Sequence, residues 1–185
     1  MATRQQLEEL LNNPNARQML DIIAKAEGVK HGYNTLFGNQ RIDSLNAHPN
    51  IKKQFKQTDG KTNYTTAAGR YQFLTDTWNN TAKQYGLRDF SPRNQDIAAL
   101  ALIKGRGALN QVLKGDFRGA IGKLGKEWAS LPSSTYAQPK RSWGYLGLGN
   151  GPISQAPQPQ RPQASQPKFT DLSALGYKPQ ATKQA

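Results

Sequence analysis

Glu27 is the residue whose placement first suggests chemistry. Ala16, Met19, Leu20, Ile23 and Ala26 recur at helical spacing, and Glu27 continues that apolar series. Gly28 follows at once, where a helix tends to stop. The pattern places a carboxyl on the inward face of a helix at its C-terminal end. Desolvation, the negative end of the helix dipole and the loss of water partners all disfavour its charged form there. A carboxylic acid kept protonated near neutral pH suits a general acid. The competing reading of the same spacing is a Glu that bends out to solvent at a fraying helix end.

Other chemistries find less support. The two histidines, His31 and His48, have no second His or carboxylate at ligand spacing, so no metal site and no cofactor are expected. The chain contains no cysteine, which excludes disulfides, thiol catalysis and thiolate metal clusters. Neither a nucleophile elbow, nor a P-loop, nor a dinucleotide fingerprint occurs. Carboxylates remain. Sugar hydrolysis commonly uses two, and Asp43 or Asp59 could be the partner of Glu27, although each reads as a turn residue. Tyr33, Tyr71, Gln72, Tyr136 and Gln138 could stack on and hydrogen-bond to sugar rings, or simply pack.

Elements to position these residues can be read in order. Thr3 caps a short helix with Leu7, Leu10 and Leu11 as its apolar positions. Asn13 as N-cap and Pro14 at the first position open the helix that ends at Glu27. Residues 28–73, rich in Gly and Asn, read as loops and short strands. Ala67–Phe73 reads as a short strand or a tight turn. Thr75 or Asp76 caps a helix with Trp78, Ala82 and Tyr85 on one face, stopped by Gly86. Ser91-Pro92 opens a helix that is apolar nearly all round over Ile97–Ile103, as a buried central helix would be. Ala108–Leu113 reads as a short helix. Asp116 caps a last one, in which Phe117, Ile121, Leu124 and Trp128 form a stripe.

The chain is 185 residues long, enough for one ordinary domain and an appendage. Residues 139–185 hold seven of the eleven prolines, with much Gln, Ser and Ala, a composition that cannot bury enough apolar surface to order itself. Phe169, Leu172, Leu175 and Tyr177 stand out in it as a short docking motif on a tether. The net charge of +13 divides into +8 over residues 1–138 and +5 over 139–185. An anionic partner follows: a cell-wall polymer, a membrane face or nucleic acid. No recognised nucleic-acid motif occurs, so no specific nucleic acid is expected. No apolar run is long enough to span a bilayer, and no secretory signal is visible.

Several stretches together resemble the lambda-type phage endolysins, lytic transglycosylases of the lysozyme superfamily. The run from Met19 to Gly28 resembles the helix that ends in that family's catalytic Glu, and His31-Gly32-Tyr33 follows at similar spacing. Ala68-Gly69-Arg70-Tyr71-Gln72-Phe73 is similar to the family's most characteristic run. Gly86–Pro92, Gln95-Asp96, Leu102-Ile103, Arg106–Leu109 and Trp128-Ala129-Ser130-Leu131-Pro132 then match in order, with Tyr136 and Gln138 just beyond. The match covers about residues 17–143. It implies an α+β, mostly α, lysozyme-like fold with a small β region, and a disordered or extended C-terminal tail outside it. The expected domains are an N-terminal extension (1–13), a catalytic domain (14–143) and a Pro/Gln-rich basic tail (144–185).

The resemblance implies cleavage of the bond between N-acetylmuramic acid and N-acetylglucosamine in peptidoglycan, leaving 1,6-anhydro ends. It makes Glu27 the catalytic residue, dispenses with a second carboxylate, and suggests substrate contacts for His31, Arg70, Tyr71, Gln72, Tyr136 and Gln138. A structural ion pair is the alternative for Arg70. A hydrolytic muramidase and a non-catalytic lysozyme-like virion protein are the rival readings. The expected partner is bacterial peptidoglycan, joined by other virion proteins if the tail docks to them, and the catalytic domain is expected to be monomeric. Phage origin implies release from the host cytoplasm through a holin, or carriage in the virion.

Overall fold

A computed structural model describes residues 2–149. The Phe169–Tyr177 docking motif and most of the expected tail lie outside the described residues. Six helices run in chain order: α1 (Arg4–Leu10), α2 (Pro14–Glu27), α3 (Thr75–Tyr85), α4 (Pro92–Gly105), α5 (Leu109–Leu113) and α6 (Phe117–Gly122). Between α2 and α3 lie two antiparallel hairpins, β1 (Thr35–Leu36) with β2 (Gln40–Arg41), and β3 (Lys53–Lys56) with β4 (Thr62–Thr65). This is the α+β, mostly helical class that was expected.

Most helix ends follow from local chemistry. Thr3 accepts from the Gln6 N–H while the Gln6 side chain accepts from the Thr3 N–H, a reciprocal capping box. The Asn13 side chain accepts from the Asn15 and Ala16 N–H groups, and Pro14 occupies the first position of α2, where no N–H is missed. Ser91 and Pro92 repeat that arrangement at α4. Helix α3 departs from expectation: its N-cap is Leu74, which has no acceptor. The Thr66 hydroxyl, from the preceding loop, accepts from the Thr75 N–H at 2.9 Å instead. The last helix is shorter than the Phe117–Trp128 stripe predicts. It ends at Gly122, and the chain continues in tight turns that still bury Leu124 and Trp128. Glycines at 119, 122 and 125 weaken a long helix there. Gly125 also packs so closely against the Ser133 backbone that a Cβ would stand 2.6 Å from it.

Helix α4 is the axis of the core. Residues Asn94–Ala101 are buried without interruption, and α1, α2, α3 and α5 all pack on it. The three rings of Phe73, Trp78 and Phe90 cluster beside it. The single buried carboxylate of this helix, Asp96, is 4% exposed and fully engaged. It accepts from Arg17 of α2 at 2.8 Å, from the Tyr33 hydroxyl at 3.0 Å and from the Tyr71 hydroxyl. Polar bonds thus fix α2 and the 69–73 turn to the central helix.

The expected N-terminal extension is part of this core. Leu7 and Leu10 are fully buried, and Glu8 pairs with Arg93 of α4. At the other end the packing passes residue 143: Leu146 is buried, and Arg118 donates to the Leu148 and Gly149 carbonyls at 3.1 Å. Residues from Ala2 to Leu146 thus contribute to one hydrophobic core. Leu10→Ala is expected to lower stability by about 2–5 kcal/mol, the range for removing a buried leucine side chain. A denaturant titration followed by tryptophan emission should still show one transition at a lower midpoint. A transition in which only α1 detaches would contradict the shared core.

Candidate active site

Glu27 closes α2. Gly28 follows in the left-handed conformation (φ 65°), and its N–H returns to the Ala24 and Lys25 carbonyls. The turn of the chain there leaves Glu27 half-buried, accessible from outside yet crowded by protein. Burial pushes its carboxyl up to about 7. Two influences hold it from going further: the Ser130 hydroxyl, which donates to Oε1 at 2.8 Å, and the positive charge of Arg141. The carboxyl at the end of this helix thus sits among groups that, on balance, favour its neutral form more than water would.

Ser130 lies in the turn 128–131, whose position is fixed from behind. The Trp128 indole N–H donates to the Tyr71 carbonyl at 2.9 Å within the core. Arg141 approaches from the C-terminal segment. Its backbone N–H donates to the Ser130 carbonyl at 2.8 Å, and its Nε donates to the Ala26 carbonyl at 3.1 Å. The guanidinium lies over the Tyr145 ring, 4.6 Å from its centroid, and the Lys25 ammonium lies 5.1 Å from the same centroid. Sequence reasoning assigned neither Ser130 nor Arg141 a role. Ser130 stands inside the Trp128–Pro132 run, which was a usable signal, whereas nothing local marks Arg141.

The turn 69–73 reverses the chain tightly, with Ala68 and Phe73 exchanging backbone bonds at 3.1 and 2.8 Å. Gly69 (φ 85°) sits against the Gln95 side chain and the Phe90 ring, with no room for a Cβ. Gln95 in turn accepts from the Arg70 N–H at 2.9 Å. The Arg70 side chain is held by Asp21 of α2 at 2.7 Å and by the Tyr71 hydroxyl at 2.8 Å. Arg70 therefore makes an ion pair, though not a buried one, since the Asp21 side chain is 64% exposed. Tyr71 is fully buried, so its ring is enclosed and offers no face to a sugar. Gln72 adopts a positive φ of 50°, and its amide nitrogen donates to the Gly69 and Thr35 carbonyls at 2.8 and 3.2 Å. Only its amide oxygen is left outside those bonds.

The remaining candidates are dispersed. His31 is exposed, its ring nitrogen 3.1 Å from the Asn39 carbonyl. Tyr136 is 46% exposed and donates its hydroxyl proton to the Lys126 carbonyl at 2.9 Å. The tip of the second hairpin reaches the same segment, where the Thr58 N–H donates to the Ala137 carbonyl at 3.0 Å, between Tyr136 and Gln138. Asp43 is exposed, and Asp59 accepts from the Lys61 N–H at 3.0 Å within the hairpin tip. Among the described residues no three His, Cys, Asp or Glu side chains gather as a metal would require. Two surface hollows, of about 310 Å³ around His48, Thr75 and Arg88 and about 270 Å³ around Tyr85, Arg106 and Glu127, lie elsewhere, and neither is lined by Glu27.

A family model described as Endolysin matches residues 17–147, from within the first turns of α2 through Arg141 and Tyr145. This chain belongs to the Endolysin family. The endolysin of Escherichia phage lambda is 38% identical over 134 residues, covering 68% of this chain and 82% of that protein. The endolysin of Escherichia phage P2 is 35% identical over 144 residues, covering 69% and 86%. A solved structure of bacteriophage lambda lysozyme complexed with a chitohexasaccharide superposes with a TM-score of 0.64 at 38% identity, covering 73% of this chain and 90% of that one. A second structure of lysozyme from bacteriophage lambda gives 0.58 at 37% identity, covering 69% and 84%. The fold of this endolysin is accordingly lysozyme-like, as the motif order implied.

The raised pKa of Glu27 couples to stability. The folded state holds this proton to about pH 7, whereas the unfolded chain loses it near the ordinary value of 4.5. The folded state binds the extra proton between those values, so stability falls as pH rises through that window and then levels off. Glu27→Gln removes the charge to be buried. It is expected to match the parent at pH 4 and to exceed it at pH 8, by about 1–3 kcal/mol given partial solvent access. Urea midpoints at both pH values check this. An equal offset at both would deny Glu27 a raised pKa.

Proposed function

We propose that this endolysin is a peptidoglycan lytic transglycosylase that uses Glu27 as its one acid and base. Membership of the family supports the coarser reading, a lysozyme-like enzyme that cleaves the glycan of the bacterial cell wall. The observation that carries the finer one is the Glu27 carboxyl, held near pH 7 by its surroundings and still open to solvent on one side. Asp43 and Asp59 occupy exposed turns, which suits a reaction that asks for no second carboxylate.

Each step follows from the chemistry of that group. Protonated Glu27 gives its proton to the bridging oxygen as the C1–O4 bond of the muramic acid residue breaks, so the departing N-acetylglucosamine leaves as an alcohol. The C6 hydroxyl of the same muramic acid attacks C1, closing the 1,6-anhydro ring, and its proton passes to the Glu27 carboxylate. Glu27 ends as it began and no water is consumed. A group whose acidity lies near the working pH can perform both transfers. The nucleophile belongs to the reacting ring, so its approach costs little translational entropy. A polymer must also enter and leave sideways. A half-buried acid that lines neither hollow admits a strand in a way that an enclosed cavity does not.

Arg70 and Tyr71 serve this site by holding the 69–73 turn to α2 and α4, whereas His31, Gln72, Tyr136 and Gln138 are the proposed glycan contacts. The basic surface favours an anionic wall polymer over a neutral one. No helix among the described residues is long and apolar enough to cross a membrane.

Glu27→Gln should fold as the parent does and lose clearing of purified cell walls by a factor of about 1,000 or more, as expected when a single acid–base group is removed. Turbidity loss measures this, and retained clearing would sink the assignment. Mass spectrometry of the muropeptides released by the parent decides the reaction. Anhydro ends, one water lighter than reducing ends, are expected. Reducing ends alone would make the enzyme a hydrolytic muramidase.

A further inference from the structure

Two neighbours of the Glu27 end of α2 come from far along the chain: Ser130 bonds to Glu27 across 103 residues, and Arg141 to Ala26 across 115. Their geometry bears on how a lone carboxyl can both give and take a proton. Ser130 occupies one carboxyl oxygen, Oε1, at 2.8 Å. Among the described residues the other oxygen has no such bond. Arg141 makes no hydrogen bond to the carboxyl. It ties the end of α2 to the turn that carries Ser130, through the Ala26 carbonyl on one side and the Ser130 carbonyl on the other. The Gly28 turn leaves the space it uses, since a Cβ there would stand 2.8 Å from Arg141 Nη2. Tyr145 supports the guanidinium from its other side.

Resting on the function proposed above, we propose that Ser130 and Arg141 are the positioning residues of this active site. Ser130 fixes Oε1, Arg141 sets the distance between α2 and the 128–131 turn, and Oε2 is left as the oxygen that exchanges protons with the glycan. Arg141 lies near the end of the expected catalytic domain, in the stretch after Pro139 where the composition begins to change.

The charged and titratable groups around Glu27 are few. Lys25 precedes it on α2, and Arg141 acts on it from the C-terminal segment, with Tyr145 packed against both Lys25 and Arg141. Glu127, next to the 128–131 turn, is committed to Arg106 at 2.7 Å. A guanidinium stays charged at every pH of interest, so its influence is set by where it is held. Ser130 and Arg141 both favour the charged form of Glu27. Removing either makes the proton harder to lose. Activity that needs the protonated acid falls as pH rises through that group's titration, so its alkaline limb must move to higher pH.

The test uses the full chain and purified walls. Ser130→Ala and Arg141→Gln are each expected to shift the alkaline limb of kcat/KM upward by about half a pH unit or more, and to lower the maximal rate. Arg141→Lys keeps the charge and is expected to bring the limb back toward the parent. A residue that only packs would change the melting temperature and leave the limb in place. Limbs that coincide with the parent in both Ser130→Ala and Arg141→Gln overturn the proposal, as does a limb that stays displaced in Arg141→Lys. Should Arg141→Gln not fold, Ser130→Ala decides by the same measure. Glu27→Gln assayed alongside separates two failures. If it still clears walls, the enzyme's function is wrongly assigned. If it is inert while the limbs stay put, the positioning roles alone fall.

Discussion

Withholding water from one carboxyl is the constraint that the rest of the molecule serves. Glu27 would ionise freely on an exposed helix. At the end of α2 it has lost enough solvent to keep its proton to about pH 7, and it lies at the helix terminus where the dipole also opposes a negative charge. A hydroxyl and a guanidinium offset part of that effect. The balance matters more than either side: burial alone would produce an acid too weak to let go, and full pairing would produce a carboxylate with no proton to give.

That balance needs a rigid frame, and the frame is polar where helices meet. Asp96 gathers Arg17, Tyr33 and Tyr71 onto the central helix, and Arg70 joins Tyr71 to Asp21 on α2. Buried charge of this sort is costly unless every partner is present. Here the requirement itself defines geometry: α2 has few positions relative to α4 that satisfy Asp96. The apolar packing of Leu20, Ile23 and Ile97 supplies burial, and the network selects among the ways of achieving it.

Much of this was legible in the chain, for reasons that are local. Caps at Thr3, Asn13-Pro14 and Ser91-Pro92, and glycines at 28 and 86, mark helix ends through bonds between near neighbours. The inward face of α2 follows from spacing. Family membership and fold followed from the order of motifs. The failures are non-local. Leu74 could not be foreseen as a cap, because its acceptor comes from Thr66 across a turn. The Phe117–Trp128 stripe reads as one helix because buried residues in successive turns can mimic helical spacing. The extension before Pro14 reads as an appendage, although Leu7 and Leu10 find their partners on α4, far along the chain. Tyr71 looked like a sugar platform, and only tertiary packing reveals it as enclosed. Arg141 is the extreme case, an arginine in a Pro-, Lys- and Ser-containing stretch that acquires meaning from the helix end it meets.

The bond from Arg141 to the Ala26 carbonyl links the chain across 115 positions. During synthesis the residues of α2 leave the ribosome long before that arginine is made. A nascent chain can form the helix, yet the acid at its end lacks its finished surroundings until translation has passed residue 141 and the segment has emerged. Assembly order alone leaves the Glu27 carboxyl without Ser130 and Arg141 in every half-made copy.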